Sequence, residues 1–372
     1  MGIKNRRTFL SGAALAGGAA LLPKQVSSTA ISSFSSNSSR VYLTVKPGSA
    51  DSTTVLNQAL ATAAKNGQVL YITAGVYNVS GSLSVSMTPA KGFSIIGDGA
   101  AVTKIVFTGS SDAFTVVGNF GPNYDPKGDG FRFEGLNLSG PGLTRSGAGL
   151  TLLRHGGFVV SDLQVVGFGT GLRLHDSLTG HFSDSIFAYC NDGVLAEAGS
   201  LSNPNLHLFT RCTFDSCSRY GLSFFSGSAL TLESCEIAAN ATGIQFSQAG
   251  AGQGAVAVTL SGSNYFEGNS QQHIYITHGN FPVVYNLTGA VFNTFTANAG
   301  VVFDPYQLKA GSQPAVLNLE GSAFCPGSTY ANAPLVLAQP GAGYDGLSVS
   351  NRTTLYVPLS SKPVFPPYVH IL

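Results

Sequence analysis

The chain has 372 residues, of which 44% are hydrophobic, only 10% are charged and 46 are glycine. Its formal net charge of +1 provides no overall field that would attract nucleic acid or an anionic membrane surface. No apolar run reaches the length of a membrane-spanning helix, and a sustained helical period occurs in one segment only. We therefore expect one large, mainly β domain.

The first thirty residues contain the parts of an export signal in the expected order. A twin arginine lies within Asn5–Leu10, an apolar stretch covers Phe9–Leu22, and Ser28–Ala30 offers small residues suited to cleavage. Residues 1–30 are therefore predicted to be a twin-arginine signal peptide. Such a signal directs an already folded bacterial protein to the periplasm or out of the cell.

The serine-rich residues 31–40 are predicted to be a flexible linker, and residues 41–372 to form the β domain. One helix is predicted near its start, at residues 53–65 within Asp51–Gly67, with a polar N-cap and a glycine stop. An amphipathic helix at this point can cover the open apolar end of a repeat structure. Its apolar face comprises Val55, Leu56, Ala59, Leu60 and Ala63.

A hexad recurs through the middle of the domain. It consists of a small or polar residue, any residue, a bulky apolar residue, two residues of any kind, and then Cys, Asn or an aromatic residue. Its apolar centres are 22 to 32 residues apart, a variable period that is typical of a solenoid with loop insertions. The centres are Val165, Phe187, Phe214, Ile237, Phe266, Phe292 and Phe324.

A second motif, usually a glycine and then alternating apolar residues, follows each hexad, as in Gly171–Leu174 and Gly193–Ala196. Short strands of period two, separated by Gly, Asn and Ser turns, exclude helices here. The repeats predict an all-β fold, a single-stranded right-handed parallel β-helix in which identical positions stack at about 4.8 Å.

The order of elements at the start of the domain is more specific. The predicted helix is followed by Gln68–Val79, which contains Val-Leu-Tyr-Ile-Thr-Ala-Gly-Val-Tyr, and by Phe93–Gly99, which contains Ile-Ile-Gly-Asp-Gly. This order resembles the N-terminal part of the pectate lyase superfamily, in particular its phage-tailspike-like and polygalacturonase-related members. The resemblance implies a pectin-lyase-like solenoid that binds, and often cleaves, a polysaccharide along its long face.

Known catalytic motifs of that superfamily are absent from the sequence. We find neither the Asn-Thr-Asp, Asp-Asp, Gly-His-Gly and Arg-Ile-Lys motifs of polygalacturonases nor the Asp-Pro-His-Asp of alginate epimerases. Ordinary pectin hydrolysis is therefore not expected.

One candidate site lies on the glycine-led strands. Strand alternation predicts that Arg173 and His175 point outward, with Glu197 beside His175 on the next coil and Asp176 at the adjoining turn. An imidazole, carboxylates and a guanidinium within the length of one sugar suit proton abstraction beside a uronate carboxyl, the chemistry of a lyase. A solvated surface ladder is the alternative interpretation.

A second candidate site precedes the hexads. Asp162 and Asp184 are predicted to face outward on neighbouring coils, with Arg211 on the next. Two carboxylates about 5 Å apart suit a retaining glycosidase or a calcium site. Calcium is the one cofactor that this pattern suggests. The alternative is a charge ladder in which Arg211 binds Asp184.

Four of the five cysteines are predicted to stack in pairs, Cys212 beside Cys235 and Cys190 beside Cys217. Adjacent coils bring the Cα atoms within disulfide range, but parallel inward side chains fit the disulfide torsion poorly. Bonded pairs and buried thiols both remain open.

Two functions fit these observations. The first is an exported enzyme, a lyase or glycoside hydrolase, that acts on a bacterial or plant polysaccharide. The second is a non-catalytic carbohydrate-binding or adhesive β-helix protein, which the low charge and the missing motifs favour. The expected partner is a polysaccharide rather than nucleic acid or, for the mature form, a membrane. The protein is expected to be a monomer or a trimer.

Overall fold

The computed structural model describes residues 51–325 apart from gaps at 89–91, 121–129, 144–146, 226, 248–255, 278–282, 294–300 and 305–314, together with short strands on either side of this range. Residues 1–34, which include the predicted signal peptide, lie outside the described residues. Strand β1 (Ser35–Ser36) falls within the predicted linker and pairs antiparallel with β2 (Arg40–Leu43).

Helix α1 (Thr53–Asn66) confirms the predicted helix and ends one residue later than expected. The carboxylate of Asp51 accepts hydrogen bonds from the backbone N–H and the hydroxyl of Thr53, so Asp51 satisfies an exposed donor of the first turn. Gly67 ends the helix in the left-handed conformation, with φ of 67°. The buried face of α1 packs against the first strands of the solenoid.

The remaining strands form three parallel ladders, one for each side of the coil. In the first ladder are β2, β3 (Val69–Ile72), β6 (Ser94–Gly97), the start of β9 (Arg132–Ser139), the start of β11 (Gly156–Val166), β13 (Leu178–Ser183), β16 (His207–Thr210), β19 (Ala229–Glu233), β22 (Val256–Ser261), β25 (Val283–Leu287), β28 (Ala315–Asn318), β31 (Leu347–Ser350) and β33 (Val369–Ile371).

In the second ladder are β4 (Gly75–Val79), β7 (Thr103–Phe107), the ends of β9 and β11, β14 (Ile186–Ala188), β17 (Thr213–Asp215), β20 (Glu236–Ala238), β23 (Tyr265–Glu267), β26 (Val291–Asn293), β29 (Ala323–Cys325) and β32 (Thr354–Leu355).

In the third ladder are β5 (Leu83–Ser86), β8 (Phe114–Val117), β10 (Ala148–Leu153), β12 (Thr170–His175), β15 (Asp192–Glu197), β18 (Tyr220–Phe225), β21 (Thr242–Ser247), β24 (Gln272–Thr277), β27 (Val301–Asp304) and β30 (Val336–Ala338).

A single column of apolar side chains lines the inner face of the second ladder. This column confirms the predicted hexad register. All seven predicted centres pair in order, and the first six are fully buried. The rings of Phe187 and Phe214 stack with centroids 5.8 Å apart, and those of Phe266 and Phe292 stack at 4.7 Å. Stacking of identical positions is therefore the main source of the core.

The corner between the first and second ladders is made by one residue per coil with positive φ. Asp162, Asp184 and Arg211 occupy this corner with φ of 46°, 51° and 52°. Short polar side chains tolerate this conformation better than most, and at a bend the side chain is directed outward. The two aspartates of the second candidate site are thus corner residues.

The glycines that begin the third-ladder strands are required by close backbone contact. A Cβ atom on Gly171 or on Gly193 would lie 2.4 Å from the carbonyl oxygen of the glycine on the next coil. No side chain fits at that distance, so these coils need glycine here, whereas β24 has His273 at the equivalent position. The glycine-led motif thus fixes where the third ladder starts.

The stacked cysteines are free thiols. No disulfide joins the four stacked cysteines, and all four are buried: Cys190, Cys212, Cys217 and Cys235. Of the two alternatives that the sequence left open, bonded pairs and buried thiols, the structure has buried thiols. Burial raises the pKa of the Cys190 thiol to about 11. These thiols act as small apolar side chains in the core.

None of the helices in the described part of the chain has the length and apolar character needed to cross a membrane.

Candidate functional site

The outer surface of the third ladder carries the first candidate site in the predicted register. Arg173 pairs with Leu195, and His175 pairs with Glu197 on the next coil. Leu172 and Leu174, which alternate with Arg173 and His175 along β12, are buried, so Arg173 and His175 point to the opposite, outer side. The structure therefore brings Arg173, His175 and Glu197 together as the sequence predicts.

Arg173 lies between two carboxylates. Its Nη1 is 3.2 Å from Oδ2 of Asp112, and its Nε is 3.7 Å from Oε1 of Glu197. The Nε atom is buried and has no hydrogen-bond partner among the described residues, because Glu197 lies just beyond hydrogen-bond distance. An unsatisfied guanidinium N–H is a costly feature that an oxygen atom of a ligand or a closer Glu197 would relieve.

Asp112 is the residue of this site that sequence reasoning missed. Its Oδ1 accepts a 2.8 Å hydrogen bond from the backbone N–H of Ala148, and its Oδ2 accepts one of 3.0 Å from the Thr151 hydroxyl. Arg173 is the third donor. Asp112 is thus held rigidly, whereas Glu197, with 35% of its side chain exposed, makes one ionic contact among the described residues.

Asp176 does not belong to the site, which corrects the prediction. Its side chain is buried, and its Oδ1 accepts hydrogen bonds of 3.0 and 2.8 Å from the backbone N–H groups of Leu201 and Ser202. With φ of 51° the chain turns at Asp176, so its carboxylate is directed to the 198–206 loop rather than to the outer face of the ladder. Asp176 is a loop anchor.

Of the two interpretations left open for Asp162 and Asp184, the contacts favour the charge ladder over an acid–base pair. Asp184 accepts two hydrogen bonds of 2.7 Å from Arg211, and this contact lowers the pKa of the Asp184 carboxyl. Oδ2 of Asp162 accepts a hydrogen bond of 3.1 Å from the backbone N–H of Ala100. These residues form a surface ladder at the corner of the first and second ladders, away from Arg173.

A groove of about 500 Å³ runs from Arg173 toward the second ladder. Its floor contains Asp192, a carboxylate with 1% side-chain exposure that Arg219 covers, with Nε 2.7 Å from Oδ1. The hydrogen bond from Arg219 to Asp192 raises the pKa of Arg219, whose guanidinium also lies over the Tyr220 ring at 5.2 Å. The lining residues are Gly169, Thr170, Arg173, Asn191, Asp192, Leu195, Ser218 and Arg219.

The sequence held a signal for this pair that the prediction did not use. Asp192 lies one position before Gly193, and Arg219 lies two positions before Gly221. These two glycines begin the glycine-led motifs of neighbouring coils. Residues before that glycine lie at the start of the third ladder and therefore border the same groove.

The described residues of the groove and its border include three carboxylates, those of Asp112, Asp192 and Glu197, and two guanidinium groups, those of Arg173 and Arg219. Each of these two guanidinium groups already has an acidic partner, so the part of the site that the structure describes has no surplus of positive charge. Among the described residues, no three His, Cys, Asp or Glu side chains lie close enough together to hold a metal ion.

A family model described as a right-handed beta helix region matches residues 148–313. No curated protein matches the sequence.

Several solved structures have a similar fold at low identity. "Geobacillus virus E2 - ORF18" has a TM-score of 0.61 and 14% identity, and the match covers 82% of this chain and 59% of that protein. Tailspike protein 2 of the Escherichia coli O157:H7 bacteriophage CAB120 has a TM-score of 0.59 and 13% identity, with 87% and 44% covered. The chain thus spans about half the length of these two phage proteins.

The A-module of mannuronan C-5 epimerase AlgE4 from Azotobacter vinelandii is similar over nearly its whole length. Its TM-score is 0.58 at 14% identity, and the match covers 87% of this chain and 96% of the module. At such identities these similarities concern the fold. The chain therefore has the right-handed parallel β-helix fold.

Proposed function

We propose that this protein is an exported enzyme that cleaves glycosidic bonds of a polysaccharide in the groove beside Arg173. The observation that carries the proposal is the position of the Arg173 guanidinium, with Asp112 on one side and Glu197 on the other, at the end of a groove. Charged groups that converge in a concave site of a sparsely charged protein are typical of a site of catalysis or binding.

The contacts suggest a division of roles. Glu197 is the freest of the carboxylates and is proposed to exchange the proton with the glycosidic oxygen or with water. Asp112 holds Arg173 in place and is a positioning residue.

The charge balance favours hydrolysis over elimination. A lyase must neutralise the carboxylate of a uronate, which requires positive charge that is not already paired. Arg173 and Arg219 are both paired with acidic side chains, so the groove is better suited to a substrate without that carboxylate. We therefore favour a glycoside hydrolase, with a lyase as the other outcome of the test below.

The similar solved structures support a carbohydrate as the partner. They include a phage tailspike protein, a mannuronan C-5 epimerase and DFA-IIIase from Arthrobacter chlorophenolicus A6, for which the TM-score is 0.52 at 12% identity, with 85% of this chain and 92% of that enzyme covered. Because fold alone does not decide function, the support comes from the site and the fold together.

A non-catalytic carbohydrate-binding protein is the second candidate, and one observation favours it. Both oxygens of Asp112 are already hydrogen-bonded, and Asp192 is buried beneath Arg219. Glu197, which lies beside Arg173 and outside the groove lining, is then the one freely available carboxylate of the three described at this site, whereas glycosidases usually use two.

The test is to incubate the mature protein with neutral and acidic polysaccharides, following reducing ends for hydrolysis and ultraviolet absorbance for the unsaturated product of elimination. Glu197→Gln should abolish turnover. Glu236→Gln, which removes an exposed carboxylate from the second ladder, is the matched control and should be fully active. Binding without turnover in the wild type would instead establish the second candidate.

Export remains part of the proposal, because it depends on the twin arginine of Asn5–Leu10. We propose a periplasmic or secreted protein, monomeric or trimeric, whose partner is a polysaccharide rather than nucleic acid or a membrane. A reporter fused to residues 1–40 should be exported. Replacing Arg6 and Arg7 by Lys in that fusion should block its export. Sedimentation of the mature protein decides between monomer and trimer.

A further inference from the structure

An aromatic side chain stands beside Glu197 on the outer face of the third ladder. Ala196 pairs with Phe224 across β15 and β18, so the next residues in each strand, Glu197 and Phe225, occupy equivalent outer positions on neighbouring coils. Phe224 is buried, which places Phe225 on the opposite side of the strand by alternation. The side chain of Phe225 is exposed to 38%.

Phe225 lies at a useful distance from the proposed point of cleavage. Neighbouring coils of a parallel sheet are about 4.8 Å apart, close to the length of one sugar residue. A sugar ring stacked on Phe225 would thus be next to the glycosidic bond at which Glu197 exchanges a proton. Aromatic faces suit the C–H face of a sugar, since they remove apolar surface from water while hydroxyl groups stay free at the ring edge.

The outer face of the third ladder has a charged half on the N-terminal side of Glu197 and an uncharged half around Phe225. On the N-terminal side of Glu197 lie Arg173 and His175, whereas the residues in register with Phe225 on the next two coils are Ser247 and Thr277. Neutral hydrogen-bonding groups beside an aromatic ring fit the hydroxyls of an uncharged sugar.

We propose that Phe225 is a stacking subsite for an uncharged sugar residue immediately next to the bond cleaved at Glu197. This inference depends on the proposed function for its meaning in catalysis, but the binding that it describes is measurable separately. It predicts that the sugar bound on the C-terminal side of the cleaved bond is neutral, whichever sugar binds to the charged half of the face.

Binding is tested by affinity electrophoresis of the mature protein in gels that contain inulin, mannan or mannuronan. Phe225→Ala should lose about tenfold in retardation by the neutral polysaccharide that retards the wild type, whereas Phe225→Tyr should keep it. Ile186→Ala is the matched control, because Ile186 is exposed to 39% on the second ladder. Circular dichroism confirms that each variant is folded.

Kinetics separate this inference from the proposed function. On the polysaccharide cleaved, Phe225→Ala should raise KM about tenfold and change kcat less than about twofold. If Phe225→Ala matches Ile186→Ala in KM and retardation while Glu197→Gln is inactive, the subsite is overturned and the enzyme stands. If Glu197→Gln is fully active, the proposed function fails and retardation alone decides the subsite. Absence of wild-type retardation in all three gels also overturns it.

Discussion

Arg173 reaches back across two coils to Asp112, so that a guanidinium on β12 is held by a carboxylate that precedes β8, with the β10 strand between them. The Nη1–Oδ2 distance is 3.2 Å, and Thr151 of the intervening strand donates to the same oxygen. The three residues form one network along the solenoid axis. Its effect is to fix the guanidinium against Glu197 and leave the Glu197 carboxylate comparatively free.

Loss of Asp112 should therefore reduce turnover without unfolding the protein. Asp112→Asn keeps an oxygen for the Ala148 N–H but removes the charge that holds Arg173, and misplacement of such a group costs about 100-fold in kcat. Because Asp112 only positions Arg173, KM should change little. Asp184→Asn is the matched control, since Asp184 also binds an arginine but lies away from the groove. Equal kcat in both variants would contradict the role of Asp112.

The sequence predicted the register but not this network. Val165 and Phe187 repeat a residue type at an equivalent position on successive coils, so strand pairing and inward packing follow from pattern alone. Asp112 belongs to no repeat, because its partner lies two coils later, and chain spacing does not reveal which outer side chains meet. For the same reason the sequence could not decide whether Asp184 would face Asp162 or bind Arg211.

The phenylalanine column should dominate stability. Phe214 is fully buried between Phe187 and Ile237, so Phe214→Ala leaves a cavity in the middle of the stack and should cost about 3–5 kcal/mol of unfolding free energy. Ile186→Ala, one residue from the same column but directed to solvent, should cost much less. Chemical denaturation of both variants measures the difference, and equal costs would be inconsistent with the observed register.

The stacked cysteines should be unreactive until the protein unfolds. Only a thiolate attacks a disulfide reagent, and burial both excludes the reagent and raises the pKa of Cys190 to about 11. At neutral pH we expect Cys190, Cys212, Cys217 and Cys235 to react with a thiol reagent only in denaturant. Fewer than four newly reactive thiols, with the missing ones restored by prior reduction, would reveal a disulfide and contradict the free state of these residues.

Buried histidine should make the protein lose stability in mild acid. His207 is enclosed, its Nδ1 accepts a 3.1 Å hydrogen bond from the Gly180 N–H, and its Nε2 lies 3.2 Å from the Ser177 hydroxyl, so the ring is neutral with its proton on Nε2. Burial lowers the pKa of His207 from the ordinary 6.5 to about 4. Protonation would place a charge in the core and remove the acceptor for Gly180.

The direction of the pH effect follows from proton binding. Between pH 6.5 and 4 the unfolded chain binds a proton at position 207 that the folded protein does not, so unfolding becomes easier as the pH falls through this range. The full difference corresponds to roughly 3 kcal/mol at 1.36 kcal/mol per pKa unit. His273, whose pKa burial lowers to about 3, should add to the slope.

His207→Gln keeps an acceptor but cannot be protonated, so its free energy of unfolding should fall less between pH 7 and 4.5 than that of the wild type, measured by urea denaturation. The exposed His181 provides the control, because His181→Gln also removes an imidazole but leaves the buried site intact. A slope in His207→Gln equal to that of the wild type would show that His207 is not the group responsible.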